Sequence, residues 1–376
     1  MTRVLLAPDK FKGTLTAAEV ADHVAAGLRS VVPDVEVRVV PVADGGDGTL
    51  AAAEAAGFER VAVTATGPTG VPRGSAFGRR GDEAVVELAE ISGLGQLPDG
   101  RLEPLTATSR GTGELIAAAL DAGCRRVVVG IGGSACTDGG AGLVTAMGAR
   151  LVDAQGDPVP PGGAALADAV ELDLSDLHPA VAEAELVVAS DVDNPLTGPK
   201  GAAAVYGPQK GATPQMVEQL DATLGHWADL VAKATGADRR DTPGAGAAGG
   251  VGFGLVAVLG ATTRPGAELV FELTGLLDEL AWADLVVTGE GSLDLQTLHG
   301  KAPAAVAAAA RDAGVPVVAV AGRVVLTDVE VARAGLTAAY ALLDEAADEH
   351  EAMKRPGPLL ERIGARIAIE HLGGAR

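Results

Sequence analysis

Carboxylates and lysines follow short apolar runs of this sequence, at the points where buried strands would end. Such carboxylates act as general bases or as magnesium ligands, and a lysine there supplies a compact positive charge for a phosphate. For Asp44 and Asp191, the alternative is a structural Asx turn. The groups are Asp9, Lys10 and Lys12 after 3–7, Asp44 after 35–42, Asp191 and Asp193 after 186–189, and Glu290, Asp294 and Lys301 after 285–288.

The stretch 127–140 combines a strand, a glycine loop and the start of a helix. Three consecutive valines at 127–129 favour a buried strand, and an apolar helix is predicted at 141–147. Backbone N–H groups converge in such a loop beside the positive end of a helix dipole, so we predict an anion site. The alternative is a crossover loop whose glycines only supply positive φ. The loop residues singled out are Gly132, Gly133, Ser134 and Asp138.

Lysine is scarce in this chain, which makes its positions informative. Only seven of the 29 Lys and Arg residues are lysines. Chance clustering is the alternative, but a lysine beside a glycine turn is suited to phosphate. Five of the seven stand beside glycine-containing turns, namely Lys10, Lys12, Lys200, Lys210 and Lys301.

The elements that would position these groups alternate between strands and helices. Thr16 and Glu19 predict a capping box for a helix at 17–28, which would join the strands 3–7 and 35–42 as a parallel pair. A hairpin is predicted between 74–78 and 84–87. Further strands are predicted at 186–189, 285–288, 315–320 and 338–342, and helices at 108–122, 214–233, 255–259, 304–311 and 359–372, with a glycine loop at 244–254.

This pattern predicts an α/β protein with two domains. The C-terminal strands are similar to the opening β–α–β segment, whereas the middle of the chain differs from both. We therefore predict one discontinuous domain, 1–66 plus 281–376, interrupted by a second α/β domain at 67–280, with approximate boundaries.

Composition and charge exclude several classes of protein. The chain has 376 residues, a formal net charge of −21, 48% hydrophobic residues and only two cysteines. A strongly acidic chain disfavours nucleic acid and anionic membranes as partners. The apolar runs are too short to span a bilayer, and Cys124 and Cys136 form no zinc motif, so we expect a soluble cytoplasmic protein.

Two familiar catalytic motifs are missing. No Gly-x-Ser-x-Gly elbow occurs, and Lys301 is followed by Ala302, which excludes a conventional P-loop. His299 is the only histidine inside a motif, and an exposed or structural role is favoured for it. A phosphotransferase of this sequence must therefore bind phosphate in another way.

Taken together, the motifs resemble those of the bacterial glycerate kinase family, in order and across essentially the whole chain. The resemblance implies a flavodoxin-like domain interrupted by a second α/β domain, and transfer of a phosphoryl group from ATP to D-glycerate with Mg²⁺. It points to the 2-hydroxyl as acceptor, with the 3-hydroxyl as the alternative. The motifs lie at 9–13, 43–49, 108–113, 130–140, 190–196, 207–211, 244–250 and 288–301.

The resemblance and the needs of phosphoryl transfer suggest a role for each group. The chain departs from the usual family pattern at Lys10, at Cys136-Thr137 and at Ser292-Leu293. The expected catalytic residues are Asp44, Asp191 and Lys12; substrate-binding residues Lys12, Arg110 and Asp44; phosphate- or nucleotide-binding residues Gly132, Gly133, Ser134, Asp138, Lys210, Glu290, Asp294 and Lys301; and metal ligands Asp191 and Glu290.

Two other function classes remain open at this stage. A hydroxy-acid oxidoreductase of the Rossmann type would need Gly-x-Gly-x-x-Gly after the first strand, where this chain has 9–13 without that pattern. A non-catalytic metabolite-binding protein would share the glycine loops but would not need carboxylates at strand ends. The expected partners are D-glycerate and ATP, and a homodimer is left open.

Overall fold

The computed structural model describes residues 2–295, 297 and 301–373. The strands are β1 (Arg3–Pro8), β2 (Glu36–Val39), β3 (Glu59–Thr66), β4 (Pro72–Arg80), β5 (Glu83–Glu87), β6 (Arg126–Gly130), β7 (Arg150–Asp153), β8 (Ala169–Asp173), β9 (Glu185–Ala189), β10 (Thr262–Arg264), β11 (Leu285–Leu293), β12 (Val317–Val324) and β13 (Ala338–Ala341).

The α-helices alternate with these strands along much of the chain. They are α1 (Ala17–Val31), α2 (Thr49–Ala55), α3 (Ala89–Ser92), α4 (Arg110–Asp121), α5 (Ala141–Ala146), α6 (Ala202–Tyr206), α7 (Pro214–Thr235), α8 (Ala247–Ala257), α9 (Gly266–Thr274), α10 (Leu276–Leu280), α11 (Ala302–Asp312), α12 (Asp328–Arg333), α13 (Leu342–Glu345), α14 (Glu349–Lys354) and α15 (Pro356–His371).

The chain divides into two compact units. The terminal unit comprises Met1–Asp44 and Ala267–Arg376, and the central unit comprises Gly45–Gly266. The predicted boundaries, at 67 and 281, differ from these because of what each segment packs against. β3 pairs antiparallel with β4 of the central sheet, and Ala267 and Phe271 of α9 are buried in the core of the terminal unit.

The terminal unit contains a parallel sheet in the order β13-β12-β11-β1-β2. Numbered within the unit, this is the 2-1-3-4-5 order of flavodoxin-like sheets. The expected α/β class and flavodoxin-like sheet are therefore confirmed. One apolar core lies on each face of the sheet, the first formed with α1 and α15 and the second with α9, α10 and α11.

The central unit contains a mixed sheet in the order β10-β9-β6-β5-β4-β3. The pairs from β10 to β5 are parallel, and the pairs β5–β4 and β4–β3 are antiparallel. β7 and β8 form a separate antiparallel ribbon. The predicted hairpin of β4 and β5 is confirmed, and the valines of β6 are fully buried in the core of this unit.

Local sequence signals explain several elements. At the start of α1, Thr16 Oγ1 accepts the Glu19 N–H at 3.2 Å and Glu19 Oε2 accepts the Thr16 N–H at 2.8 Å, which confirms the capping box. β1 and β2 are parallel, as the helix between them predicts. None of the described helices is long and apolar enough to span a membrane.

Several predicted elements are wrong in extent, including β2, β12, α8 and β11. α8 begins at Ala247, within the predicted glycine loop, although Ala248, Gly249 and Gly250 have positive φ. A Cβ at Gly249 would lie 2.1 Å from the Cys136 carbonyl oxygen, so the glycine is needed for a close backbone approach. β11 continues past Thr288 to Leu293 because it stays paired with β12, so Glu290 lies within the strand.

Candidate active site

Three carboxylates of the terminal unit share one electrostatic field: Asp9 directly follows β1, Asp44 lies five residues beyond β2, and Glu290 lies in the second half of β11. Burial, with the charges of Asp44 and Glu290 as further causes, raises the pKa of Asp9 to about 7. Burial also raises the pKa of Glu290, and the charge of Asp44 contributes to that rise. The parallel sheet explains this grouping, because strands that run the same way end at one edge.

The Glu290 side chain is fixed by neighbours that follow it in the chain. Glu290 is 8% exposed and accepts the Thr297 hydroxyl at 2.6 Å through Oε1. Lys301 Nζ lies 3.7 Å from Glu290 Oε2 and 3.9 Å from Asp294 Oδ1. The structure therefore brings Glu290, Asp294 and Lys301 together, as expected. Gln296 and His299, which belong to the same predicted motif, lie outside the described residues.

A tight turn presents Lys12 at the end of β1. Gly13 has φ +82°, and the Thr14 hydroxyl and N–H both donate to the Phe11 carbonyl at 2.9 Å. Lys12 itself is exposed and forms no ion pair or hydrogen bond with any other described residue. It is therefore available to a ligand anion.

In the central unit, the predicted anion loop follows β6. Among the described residues, no acceptor pairs with the backbone N–H groups of Gly132, Gly133 and Ser134. Gly132 is also required for packing, because a Cβ there would lie 2.6 Å from Gly46 Cα. The functional and the structural interpretation of this glycine loop therefore both have support.

Asp138 is buried within the loop and binds the protein itself. It is 1% exposed and accepts the Ser109 N–H at 2.8 Å and the Ser109 hydroxyl at 2.9 Å. It also accepts the N–H groups of Gly140 and Gly142 at 3.1 and 3.3 Å. These contacts join the loop to the starts of α4 and α5. Asp138 thus holds the loop in shape, and its expected contact with a nucleotide stays a prediction.

Lys210 is likewise directed into the protein. It is 1% exposed, and its ammonium donates to Ser134 Oγ at 2.8 Å and to the carbonyl of Cys136. Burial lowers the pKa of Lys210 to about 8, and it raises the pKa of the Cys136 thiol. Lys210 therefore stabilises the loop through Ser134 and Cys136. Asp138 stabilises the same loop through its contacts with the starts of α4 and α5.

The other two predicted residues of the central unit are more accessible. Asp191 follows β9, and its Oδ1 accepts the Gly266 N–H at 2.9 Å. Arg110 begins α4, and its Nε donates to Glu114 Oε1 at 3.0 Å. Arg110 also lines a cavity of about 270 Å³ together with Thr108 and Thr145.

The structure singles out two carboxylates that are absent from the expected catalytic, binding and metal-ligating residues, although Asp9 belongs to a predicted strand-end group. Asp9 follows the first strand, but its pKa depends on residues far away in sequence. Glu87 ends β5 and accepts the N–H groups of Gly48 and Leu50 at 3.1 and 2.9 Å. Burial raises the pKa of Glu87 to about 7. The only sequence signal is an acidic residue at the end of an apolar run.

A metal site made by protein alone is not found in the described part of the chain. No group of three or more His, Cys, Asp or Glu side chains there is arranged to hold a metal ion. Magnesium, however, commonly uses one or two carboxylates together with substrate phosphates. The clustered charges of Asp9, Asp44 and Glu290 fit such an arrangement, because a divalent cation would relieve their mutual repulsion.

These features define an α/β protein that offers carboxylates, cations and free backbone N–H groups at the carboxyl ends of its strands. The sequence model described as "Glycerate kinase family" matches residues 4–371. The chain belongs to the glycerate kinase family.

Individual relatives agree with this assignment over nearly their full lengths. The chain is 45% identical to glycerate kinase of Bacillus subtilis (strain 168), covering 97% of both chains. It is 43% identical to glycerate 2-kinase of Escherichia coli (strain K12), covering 100% of this chain and 99% of the relative. A crystal structure provisionally described as glycerate kinase 2 from Salmonella typhimurium LT2 superposes with a TM-score of 0.86 at 42% identity, covering 99% of both chains.

Replacing Lys210 with Met tests whether this lysine supports the loop. The substitution leaves Ser134 Oγ and the Cys136 carbonyl without their donor, which costs on the order of 2 kcal/mol. We expect the melting temperature of Lys210→Met to fall by a few degrees. We also expect the KM for ATP to rise, because the loop is displaced. Thermal unfolding and steady-state kinetics measure the two effects.

Lys200→Met is the matched control, because Lys200 is an exposed lysine of the same region. Its effect on the free energy of unfolding should stay within about 0.5 kcal/mol. If Lys210→Met lost affinity for ATP while its melting temperature stayed unchanged, the structural role would be wrong. Lys210 would then contact phosphate directly.

Proposed function

We propose that the protein transfers the γ-phosphoryl group of ATP to the 2-hydroxyl of D-glycerate. The observation that carries this proposal is the group of Asp9, Asp44 and Glu290 beside Lys301, since phosphoryl transfer needs a proton acceptor together with charge neutralisation. The 3-hydroxyl is the alternative acceptor. The name of the E. coli relative, glycerate 2-kinase, favours the 2-hydroxyl. Because ATP is the donor, we propose the cytoplasm as the compartment.

In the proposed mechanism, Asp9 and Asp44 act as a coupled pair that accepts the proton of the glycerate hydroxyl. A general base works best when its pKa lies near the operating pH, and the pKa of Asp9 is raised to about 7. As the proton moves to Asp9, the hydroxyl oxygen bonds to the γ-phosphorus and the bond to the β,γ-bridging oxygen breaks. Asp44 keeps the pKa of Asp9 high and can accept a hydrogen bond from the substrate.

Cations and N–H groups neutralise the anions in this proposal. The free N–H groups of Gly132, Gly133 and Ser134 bind phosphate oxygens, and Lys301 leaves its carboxylate partners to approach the triphosphate. Lys12 and Arg110 bind phosphate or the glycerate carboxylate. The remaining expected residues, Asp138, Lys210 and Asp294, position these groups through the contacts described above.

Glu290 and Asp191 are the proposed magnesium ligands. Magnesium would supply positive charge against the triphosphate. Glu290 is oriented for such a role by the Thr297 hydroxyl, and Asp191 by the Gly266 N–H. Both carboxylates retain oxygen lone pairs that these hydrogen bonds do not use.

The first test is turnover itself. Purified protein with magnesium and ATP should release ADP only when D-glycerate is added, as measured by a coupled assay. Phosphorus NMR of the product should show 2-phosphoglycerate, and a 3-phosphoglycerate signal would move the reaction to the other hydroxyl. Removal of magnesium with a chelator should abolish turnover, because the carboxylates would repel the triphosphate. Absence of glycerate-dependent ADP release would refute the proposal.

The pH dependence of kcat/KM tests the Asp9–Asp44 pair. This parameter reports groups of the free enzyme, so it should fall as Asp9 becomes protonated below about pH 7. Asp44→Asn removes a charge that raises the pKa of Asp9, so Asp9 stays ionised to lower pH. We therefore expect the acidic limb of the residual activity to move to lower pH.

Asp34→Asn is the control for that experiment. Asp34 is an exposed acid just before β2, so its loss changes net charge equally at the opposite end of the same strand. Its acidic limb should match that of the unsubstituted protein. If the acidic limb of the kcat/KM profile of Asp44→Asn also stayed at the pH of the unsubstituted protein, Asp9 would not be the titrating base.

The substitution Asp191→Asn tests whether Asp191 binds magnesium or only stabilises a turn. Asparagine keeps an oxygen for the Gly266 N–H, so the fold and the melting temperature should be preserved. Loss of a magnesium ligand should lower kcat by roughly 10²-fold or more. The control is Asp153→Asn, because Asp153 ends β7 and accepts the N–H groups of Gln155 and Asp157. Equal, small effects of both substitutions would show that Asp191 is only a turn residue.

A further inference from the structure

The terminal unit contains a cavity of which the proposed mechanism uses only one lining residue, Lys12. It has a volume of about 160 Å³, lies beside the turn after β1 at the ends of β11 and β12, and is closed by α13 and α14. Val287 and Val320 belong to the core under α1 and α15, so Gly291 and Gly322, an even number of residues further on, lie on that same face. Glu290 faces the other side of the sheet.

The rim of this cavity carries two cations, Lys12 and Arg323. Arg323 donates to Ser292 Oγ at 3.0 Å, and no carboxylate among the described residues forms an ion pair with Arg323 or Lys12. Their two positive charges on one rim are not offset by an ion pair among the described residues, although the chain as a whole carries 50 acidic and 29 basic residues. They indicate that an anion binds here.

The walls of the cavity are apolar and open. Phe11 and Leu342 are buried beneath it, whereas Leu343 and Met353 are 37% and 54% exposed at its edge. Gly291 and Gly322 form part of the lining without side chains, and a Cβ at Gly322 would lie 2.6 Å from the Gly291 carbonyl oxygen, so the two strands approach closely there. An apolar body and an anionic group are thus both accommodated.

We propose that this cavity binds the nucleoside part of ATP, with Lys12 and Arg323 directed at its phosphates. The inference rests on the proposed function and adds the binding site for the base. A purine ring has flat apolar faces for Leu342 and Met353, and Glu349 on the rim supplies an acceptor for an exocyclic amino group. The position also agrees with the rule that open α/β sheets bind ligands beyond the carboxyl ends of their strands.

Protection of an introduced thiol tests this site without relying on catalysis. Both native cysteines are buried, so Met353→Cys introduces an accessible thiol at the edge of the cavity. ADP at about ten times its dissociation constant should slow labelling by an aromatic disulfide reagent roughly tenfold, because bound nucleotide covers the thiol. D-glycerate and pyrophosphate should protect far less. The control is Val329→Cys, since Val329 is 78% exposed and lies outside the cavity; its labelling should not respond to ADP.

A second variant tests the phosphate end of the site. Arg323→Gln should weaken ADP binding, measured by calorimetry, roughly tenfold or more, because a charge-assisted contact is lost. Binding of adenosine should change little. An unchanged ADP affinity in Arg323→Gln would overturn the role of this cation.

The outcomes separate this inference from the proposed function. If ADP protected the Met353→Cys thiol in a protein that shows no glycerate-dependent turnover, that result would support the nucleotide site and refute the proposed kinase activity. Turnover with ADP affinity but no protection would keep the kinase and overturn the site. Equal protection by pyrophosphate or by D-glycerate would also overturn it, because the cavity would then bind an anion without a base.

Discussion

The glycine loop after β6 in the central unit depends on the hydrogen bonds of the buried Asp138 carboxylate. A carboxylate that is 1% exposed would cost several kcal/mol without donors, and here Ser109, Gly140 and Gly142 supply them. The loop must therefore keep the shape that aims these N–H groups at Asp138. In this shape, the N–H groups at 132–134 do not donate to Asp138 and can donate to other acceptors. The carboxylate inside the loop therefore has several donors, whereas the N–H groups at 132–134 have no acceptor among the described residues.

The terminal unit separates two kinds of chemistry by the alternation of a strand. Successive residues of β11 point to opposite faces, so Glu290 and Gly291 serve different environments although they are neighbours. Glu290 joins Asp9 and Asp44 in a field that raises carboxyl pKa values. Gly291 instead leaves room for the cavity beside Lys12. A shift of one residue in the pairing of β11 with β12 would exchange these two roles.

Local signals predicted much of the fold, whereas long-range contacts decided the rest. The capping box of α1 and the hairpin of β4 and β5 depend on nearby residues, and both were predicted. The boundary near Gly45 was not, because it depends on the pairing of β3 with β4 and not on the composition of the segment. The extent of β11 likewise depends on β12, which follows it in the chain. Residues at strand ends were predicted as a set, but their roles depend on burial that no local pattern contains.

The lysines show most clearly why a residue type beside a glycine turn is not enough. Lys210 and Lys12 have the same local signal, yet the ammonium of Lys210 is fully buried and bound to Ser134 and Cys136. Lys301 is held by two carboxylates, and an anion must compete with them to reach it. Lys12 has no such partner among the described residues. In so acidic a protein, an anion is attracted most strongly to a cation that no carboxylate already neutralises. The local pairing of each lysine is therefore a better guide to a phosphate site than the number of lysines.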